Sequence, residues 1–310
     1  EPDAEILYVG NKGGMEERLV AKAGYPIKTV HISGFQRKLT PKNLVRNAQT
    51  VVRMFTATAE AKKILKEFRP DVCVGTGGYV SGPVIREAAK LGIPCVIHES
   101  NAYPGVTTKA LAHRVKTVML AVPDARKYFA DSVSCTVTGN PVRGEVLLAE
   151  REASRKALGL DDRPVVLSFG GSLGASALNK AAAYMLAQSA KTGEYQHIHG
   201  YGQHDEKFLD EVREFGLEPK KSPQIRLLEY IDNMPQCLAA ADLVIGRAGA
   251  MTLTEIEAKG KASILIPSPN VAENHQYHNA MALVRRGAAE ILEEKDLSGE
   301  ALWKKVQKIL

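Results

Sequence analysis

Three short glycine runs in this chain lie where a ligand could meet backbone. They are Gly75-Thr76-Gly77-Gly78-Tyr79, Gly170-Gly171-Ser172-Leu173-Gly174 and Gly246-Arg247-Ala248-Gly249-Ala250-Met251-Thr252. Each follows a short apolar run and precedes a helical pattern. Glycine lets the main chain approach a ligand closely, and the free N–H groups of a helix start can face an anion. For any single turn, tight strand–helix packing explains the glycines equally well. Three together, divided between two domains, favour a diphosphate-bearing ligand near an interdomain cleft. None has a clean G-x-G-x-x-G spacing, and no lysine-bearing P-loop is present.

The polar residues beside these turns suit a nucleotide sugar. Glu255, in the first turns of the helix opened by Thr252, has acceptors for ribose hydroxyls, although an early glutamate also complements the helix dipole. Arg143 follows a turn-forming Gly139-Asn140-Pro141 and is placed to bridge phosphate, or is a surface arginine. Gln276 starts a helix and offers both donor and acceptor to a sugar, or simply caps. His98-Glu99-Ser100-Asn101 ends a strand; a His–Glu pair there fits acid–base work and fits a scaffold as well. There is no D-x-D and no His/Cys cluster, so no metal and no cofactor are expected.

These residues need strands to carry them. Candidate strands are 6–9, 27–32, 71–75, 94–98, 116–121 and 135–138, then 165–169, 196–199, 225–228, 243–245, 263–266 and 290–292. Helical patterns between them include 16–23, 83–91, 177–189, 252–259 and 274–286, with Ser81-Gly82-Pro83 opening the second. Such alternation implies parallel sheets covered by helices on both faces. Two series in 310 residues argue for two doubly wound α/β domains, 1–138 and 139–310. Ligands of such sheets sit beyond the carboxyl ends of the strands, which is where the glycine turns fall.

Composition sets outer bounds. A hydrophobic share of 45% and a charged share of 25% are globular values that exclude a disordered chain. No apolar run approaches the ~18 residues of a membrane span. The start, Glu1-Pro2-Asp3-Ala4-Glu5, is unlike a secretory signal. Four scattered cysteines, Cys73, Cys95, Cys135 and Cys237, suit buried thiols in a reducing compartment.

The net charge of +6 is uneven: residues 1–138 carry +8 and residues 139–310 carry −2. Arg37 to Lys66 alone carries +7, with Glu60 its one acid. That segment reads as a helix from Thr40-Pro41 to Phe68. Val51, Val52, Met54 and Phe55 form an apolar cluster flanked by Arg46 and Arg53. On periodicity it is a core-facing stripe with a solvated basic face. The sharper alternative is an interfacial surface attracted to anionic lipid, dipping Val52 and Phe55 into the headgroups. Nucleic acid is not expected, because no base-stacking platform accompanies the charge.

Taken in order, these motifs resemble the MurG-type N-acetylglucosaminyltransferases of bacterial peptidoglycan synthesis. The matching stretches are Gly75–Pro83, His98–Asn101, Gly139–Arg143, Phe169–Ser172 and Tyr230–Met234. Ala241-Asp242 through Glu255-Ile256 and His275-Gln276 with Asn279-Ala280 complete the series, which spans nearly the whole chain. The resemblance implies a GT-B fold, two Rossmann-like domains facing across a cleft. It also implies transfer of GlcNAc from UDP-GlcNAc to the muramyl C4 hydroxyl of undecaprenyl-linked lipid I, giving lipid II, in a direct inverting displacement. The implied location is peripheral, on the cytoplasmic face of the plasma membrane.

By the same resemblance, Ile231 receives the uracil through its backbone. Glu255 holds the ribose above a loop of Ala250, Met251, Thr252, Leu253 and Thr254. Ser172 and Arg143 contact the diphosphate, while Gln276 and Asn101 face the donor sugar. Thr76, Gly77, Gly78 and Tyr79 lie near the acceptor diphosphate. His275 stands where some relatives carry another polar residue, so only Gln276 is carried over. The family opens with a strand and a glycine loop bearing its suspected catalytic base, and no residue here matches that base. The expectation is therefore a native chain with roughly 25 further N-terminal residues, supplying a strand, a glycine turn and a helix. Two alternatives stay open: a transferase of the same fold with another UDP-sugar and lipid acceptor, and a non-catalytic sugar-nucleotide-binding or membrane-recruiting module.

Overall fold

A computed structural model describes residues 3–34, 40–203, 205 and 207–310, leaving aside the side chains of 41–49, 51 and 52. The described residues form two units. The first comprises Glu1–Ser100 and Pro104–Gly139; the second comprises Asn101–Tyr103 and Asn140–Leu310. The chain thus divides at 139/140, and three residues from within the first stretch belong with the second unit.

In the first unit the elements are β1 (Tyr8–Asn11), α1 (Met15–Lys22), β2 (Ile27–Val30), α2 (Pro41–Phe68) and β3 (Cys73–Gly75). They continue with α3 (Gly78–Lys90), β4 (Cys95–Glu99), α4 (Val106–Leu111), β5 (Thr117–Leu120) and β6 (Cys135–Val137). All pairings are parallel, but β1–β2 forms one sheet and β3–β4–β5–β6 another, where strand–helix alternation suggests a single sheet. Helix α2 turns Ala57 and Ala61 onto Val30 and Ile32. These small side chains let a helix of 28 residues lie close against the strand layer. Ile85 and Ala88 of α3 pack with Ile97, Val118 and Leu120 of the larger sheet.

One helix start differs from the sequence pattern. α3 opens at Gly78, not at Pro83, because Gly77 (φ 88°) and Gly78 (φ 74°) turn the chain straight out of β3. Pro83 lies inside the helix, where its missing N–H leaves the Tyr79 carbonyl without its intrahelical donor.

The second unit contains α5 (Gly144–Leu148), α6 (Arg151–Ala157), β7 (Val165–Phe169), α7 (Ser176–Thr192) and β8 (Gln196–Gly200). Then follow α8 (Phe208–Glu214), β9 (Ile225–Leu228), α9 (Met234–Ala240), β10 (Leu243–Gly246) and α10 (Ala250–Ala258). The last elements are β11 (Ala262–Leu265), α11 (His275–Val284), β12 (Glu290–Ile291) and α12 (Gly299–Ile309). Its six parallel strands run in the order β9-β8-β7-β10-β11-β12. The chain moves outward from β7 in one direction, returns, and moves outward in the other, which is the doubly wound dinucleotide-fold order. β7 and β8 are almost wholly buried, as strands covered on both faces must be. Leu178, Met185 and Leu186 of α7 pack with Phe208 of α8 and with Leu302, Trp303 and Val306 of α12.

Candidate functional site

The strand order reverses between β7 and β10, and a crevice opens there beyond the carboxyl ends of the strands. It is a cavity of about 560 Å³ lined from four neighbouring strand ends. After β7 come Gly170, Gly171 and Gly174 with Ser176 at the start of α7, and after β10 come Arg247, Gly249 and Thr252. Ser268 and Asn270 follow β11, Gln276 lies in the first turn of α11, and Glu294 follows β12. Three helix N-termini, those of α7, α10 and α11, therefore meet one cavity, an arrangement suited to an anion.

Two glycines are required by this geometry. Gly174 has φ 84°, and a Cβ there would run into the carbonyl oxygen of Tyr201. Gly246 pairs in register with Phe169, and a Cβ on it would come within 3.2 Å of the Phe169 carbonyl oxygen. The close approach of β7 and β10 at the cavity floor depends on that missing side chain.

Gln276 is oriented by the backbone. The Ser268 N–H donates to its Oε1 at 2.9 Å, so the carbonyl end is engaged and the amide NH₂ is left to act as donor. Arg247 is held just as firmly. One terminal nitrogen donates to the carbonyls of Ile266 (3.2 Å) and Pro267 (3.3 Å), and the other meets Glu294 Oε2 at 2.6 Å.

Glu255 lies near the start of α10, where its Oε1 accepts from Arg143 Nε at 2.9 Å. Beside it, Asn140 Nδ2 donates to Thr254 Oγ1 at 2.9 Å, and Thr254 donates on to the Ala250 carbonyl. Residues 250–255 are thus the opening turns of a helix, where a loop is expected, and Leu253 points into the core. Met251 is exposed and Thr252 faces the cavity. Ile231 is buried over Gly200, at the turn that leads into α9. Ser172 is exposed on the glycine turn but does not line the cavity; Ser176 does. Arg143 does not line it either, and the arginine that does is Arg247.

Asn101 belongs to the second unit for a visible reason. Asn279, almost fully buried in α11, accepts from Ala102 N–H at 2.8 Å and donates to Asn101 Oδ1 at 3.0 Å and to the Ala248 carbonyl at 3.2 Å. Tyr103 stacks on His278 with ring centroids 4.8 Å apart.

In the first unit, Thr76–Tyr79 forms the turn from β3 into α3. Ser81 Oγ donates to the Gly77 carbonyl at 2.6 Å, and the Tyr79 ring is exposed beside Gly34. His98 donates from Nε2 to the Gly139 carbonyl at 3.0 Å, with Ser100 Oγ 3.4 Å from Nδ1. Glu99 is buried and accepts from the Gly105 N–H at 2.9 Å. The His–Glu pair is therefore a scaffold for the loop after β4. On α2, Phe55 is 75% exposed and Met54 is exposed too, so the core-facing stripe is Ala57, Ala61 and Leu65 instead. The side chains of Arg46 and Val52 lie outside the described residues, while Arg53 is half-buried. No described helix is long and apolar enough to cross a membrane.

Residues 1–120 match the glycosyltransferase family 28 N-terminal domain, and residues 165–310 match its C-terminal domain. A relative from Thermoanaerobacter sp. (strain X514) is 44% identical over 311 residues, covering 100% of this chain and 84% of its own. It is named UDP-N-acetylglucosamine--N-acetylmuramyl-(pentapeptide) pyrophosphoryl-undecaprenol N-acetylglucosamine transferase. One of the same name from Acetivibrio thermocellus is 43% identical, covering 100% of this chain and 82% of its own. The crystal structure of Acinetobacter baumannii MurG superposes with a TM-score of 0.75 at 31% identity, over 98% of this chain and 82% of that one.

The chain belongs to the MurG family.

Membership fixes the two-domain GT-B fold that the doubly wound order of the second unit already indicates. It also makes the unassigned wall residues of this MurG-family cavity worth naming. Arg247 and Glu294 are not singled out by the sequence motifs. A lone arginine between Gly246 and Gly249 at a strand end is a signal for the first. Nothing local marks Glu294, whose place on the wall comes from its strand being a near neighbour of β10.

Proposed function

We propose that this chain transfers N-acetylglucosamine from UDP-GlcNAc to the muramyl C4 hydroxyl of undecaprenyl-linked lipid I, making lipid II. The observation that carries the reading is the cavity at the β7/β10 reversal, where three helix N-termini, Arg247 and the Gln276 amide converge. A diphosphate seated there has its charge met by backbone N–H groups and a fixed guanidinium. Developing charge on the departing UDP is met by the same groups, with no reorganisation at the moment of bond breaking. Glu255 supplies acceptors for the ribose, steadied by Arg143, and the Ile231 backbone is assigned to the uracil edge. Gln276, presenting donors, reads a sugar hydroxyl. Thr76–Tyr79 is assigned to the acceptor diphosphate, on its glycine turn at a helix start.

Because the acceptor is lipid-linked, we assign α2 to a membrane surface at the cytoplasmic face. Phe55 projects outward, and Lys62 and Lys66 follow it at helical spacing, all three exposed. Glu60, the one acid of the basic segment, is drawn away to the His31 N–H at 2.8 Å. The direct test is turnover of UDP-GlcNAc with a lipid I analogue by the purified protein. Release of UDP with formation of the disaccharide lipid is expected. UDP-GlcNAc binding without any transfer would leave the non-catalytic alternative standing.

A further inference from the structure

Arg247 and Glu294 are the two charged side chains on the cavity wall, and they face each other. Arg247 is 16% exposed and Glu294 25%. Oε2 of Glu294 is buried and has no aligned hydrogen bond, so its charge is met by that guanidinium. The pairing has two consequences. It keeps Arg247 against the carbonyls of Ile266 and Pro267, and it cancels much of the cation's field inside the cavity. A site that binds a diphosphate through one arginine is thereby weakened by a carboxylate a few ångströms from it.

We propose that Glu294 is a positioning and charge-tuning residue that loosens the hold of this cavity on the nucleoside diphosphate product. This rests on the assignment of the cavity to the UDP-sugar. UDP-GlcNAc carries two phosphate charges. Free UDP carries close to one more at neutral pH, since the second ionisation of a terminal phosphate lies near pH 6. A carboxylate on the wall therefore repels the product more than the donor, which favours release after transfer. Tight binding of both alike would lower the donor requirement but leave the enzyme holding its product.

The test uses the whole chain, with Glu294→Gln keeping the shape and Glu294→Asp keeping the charge. Calorimetry is run with uridine, UDP-GlcNAc and UDP. For a partly covered cavity wall, with an effective dielectric between about 40 and 80 and ligand charges about 6–10 Å away, removing one charge changes binding of each ligand charge on the order of twofold to tenfold. Glu294→Gln is expected to leave uridine unchanged, to tighten UDP-GlcNAc several-fold and to tighten UDP by a further factor of about three or more. Product inhibition should deepen in step, and Glu294→Asp should behave as the parent. An equal change for all three ligands, or none, overturns the proposal. Failure of the parent itself to bind UDP-GlcNAc overturns the site assignment instead, so the two failures are distinguishable.

Discussion

Arg143 and Glu255 are 112 residues apart in sequence, yet Arg143 Nε donates to Glu255 Oε1 at 2.9 Å within the second unit. The motif order places Arg143 at the diphosphate, but the structure ties it to the carboxylate assigned to the ribose. Arg143 is half-exposed and Glu255 largely covered. The arginine is thus the more exposed partner, and it engages one oxygen of the carboxylate.

Glu255→Ala is expected to weaken UDP-GlcNAc binding by about 1–3 kcal/mol, the cost of losing a charged hydrogen bond. Arg143→Ala should lose part of the same energy. In a double-mutant cycle the two should couple by more than ~0.5 kcal/mol, as residues sharing one contact do. Calorimetry giving strictly additive losses would mean that Arg143 acts elsewhere.

Attachment to membranes should depend on α2. Replacing Arg46, Arg53 and Phe55 together should lower co-sedimentation with anionic vesicles and flatten its salt dependence, since each basic residue near such a surface contributes ~1 kcal/mol. Equal pelleting of variant and parent at low and high salt would reject this face.

Strand–helix alternation is enough to read the second unit, because short strands and helical stretches follow one another regularly there even where a strand is polar, as β8 is, and β7 and β9 have the predicted ends. The glycine turn before α3 was harder. Proline usually opens a helix, so Pro83 looked like a boundary, while paired positive-φ glycines upstream had already turned the chain. On the cavity wall, Thr252 and Gln276 are legible because each sits at a helix start beside a strand end; Glu255 does not line it. Ser172 and Arg143 belong to the same motif series but do not line the cavity, and Arg143 is engaged with Glu255 instead. Asn101 and Asn279 are both legible as motif residues, whereas their pairing across 178 residues emerges only from the fold.

Asn279 offers a stability test. Its amide serves Ala102, Asn101 and Ala248 from a nearly solvent-free position. Asn279→Ala should destabilise the protein by about 1–3 kcal/mol, as groups left unpaired inside a protein do. Asn279→Asp keeps the acceptor for Ala102 but loses both donations, and should recover only part of the loss. Urea midpoints unchanged in both variants would show that segment 101–103 is held by other contacts.

Acid sensitivity should come from the centre of the second unit. His197 and His199 on β8 have no solvent exposure, and burial pushes both imidazoles down to about pKa 3. His199 has Ser168 Oγ at 2.7 Å from Nδ1, while both ring nitrogens of His197 lack a hydrogen-bond partner among the described residues. In the unfolded chain each titrates near 6.5, so between pH 6.5 and about 3 the unfolded state binds more protons. Stability is therefore intact above pH 6.5 and falls as the pH drops through that window, by up to ~1.4 kcal/mol per pH unit for each histidine. Asp161, held down to about 2 by Arg163, adds to the loss only below about pH 3.8 and so does not enter between pH 7.5 and 5. Since His197 has no hydrogen bond to lose, His197→Leu should fold at pH 7.5 with little penalty and show a shallower decline. Urea midpoints at pH 7.5, 6 and 5 measure this directly. Parallel declines in variant and parent would mean that His197 is protonated in the folded protein, or that the acid response arises elsewhere.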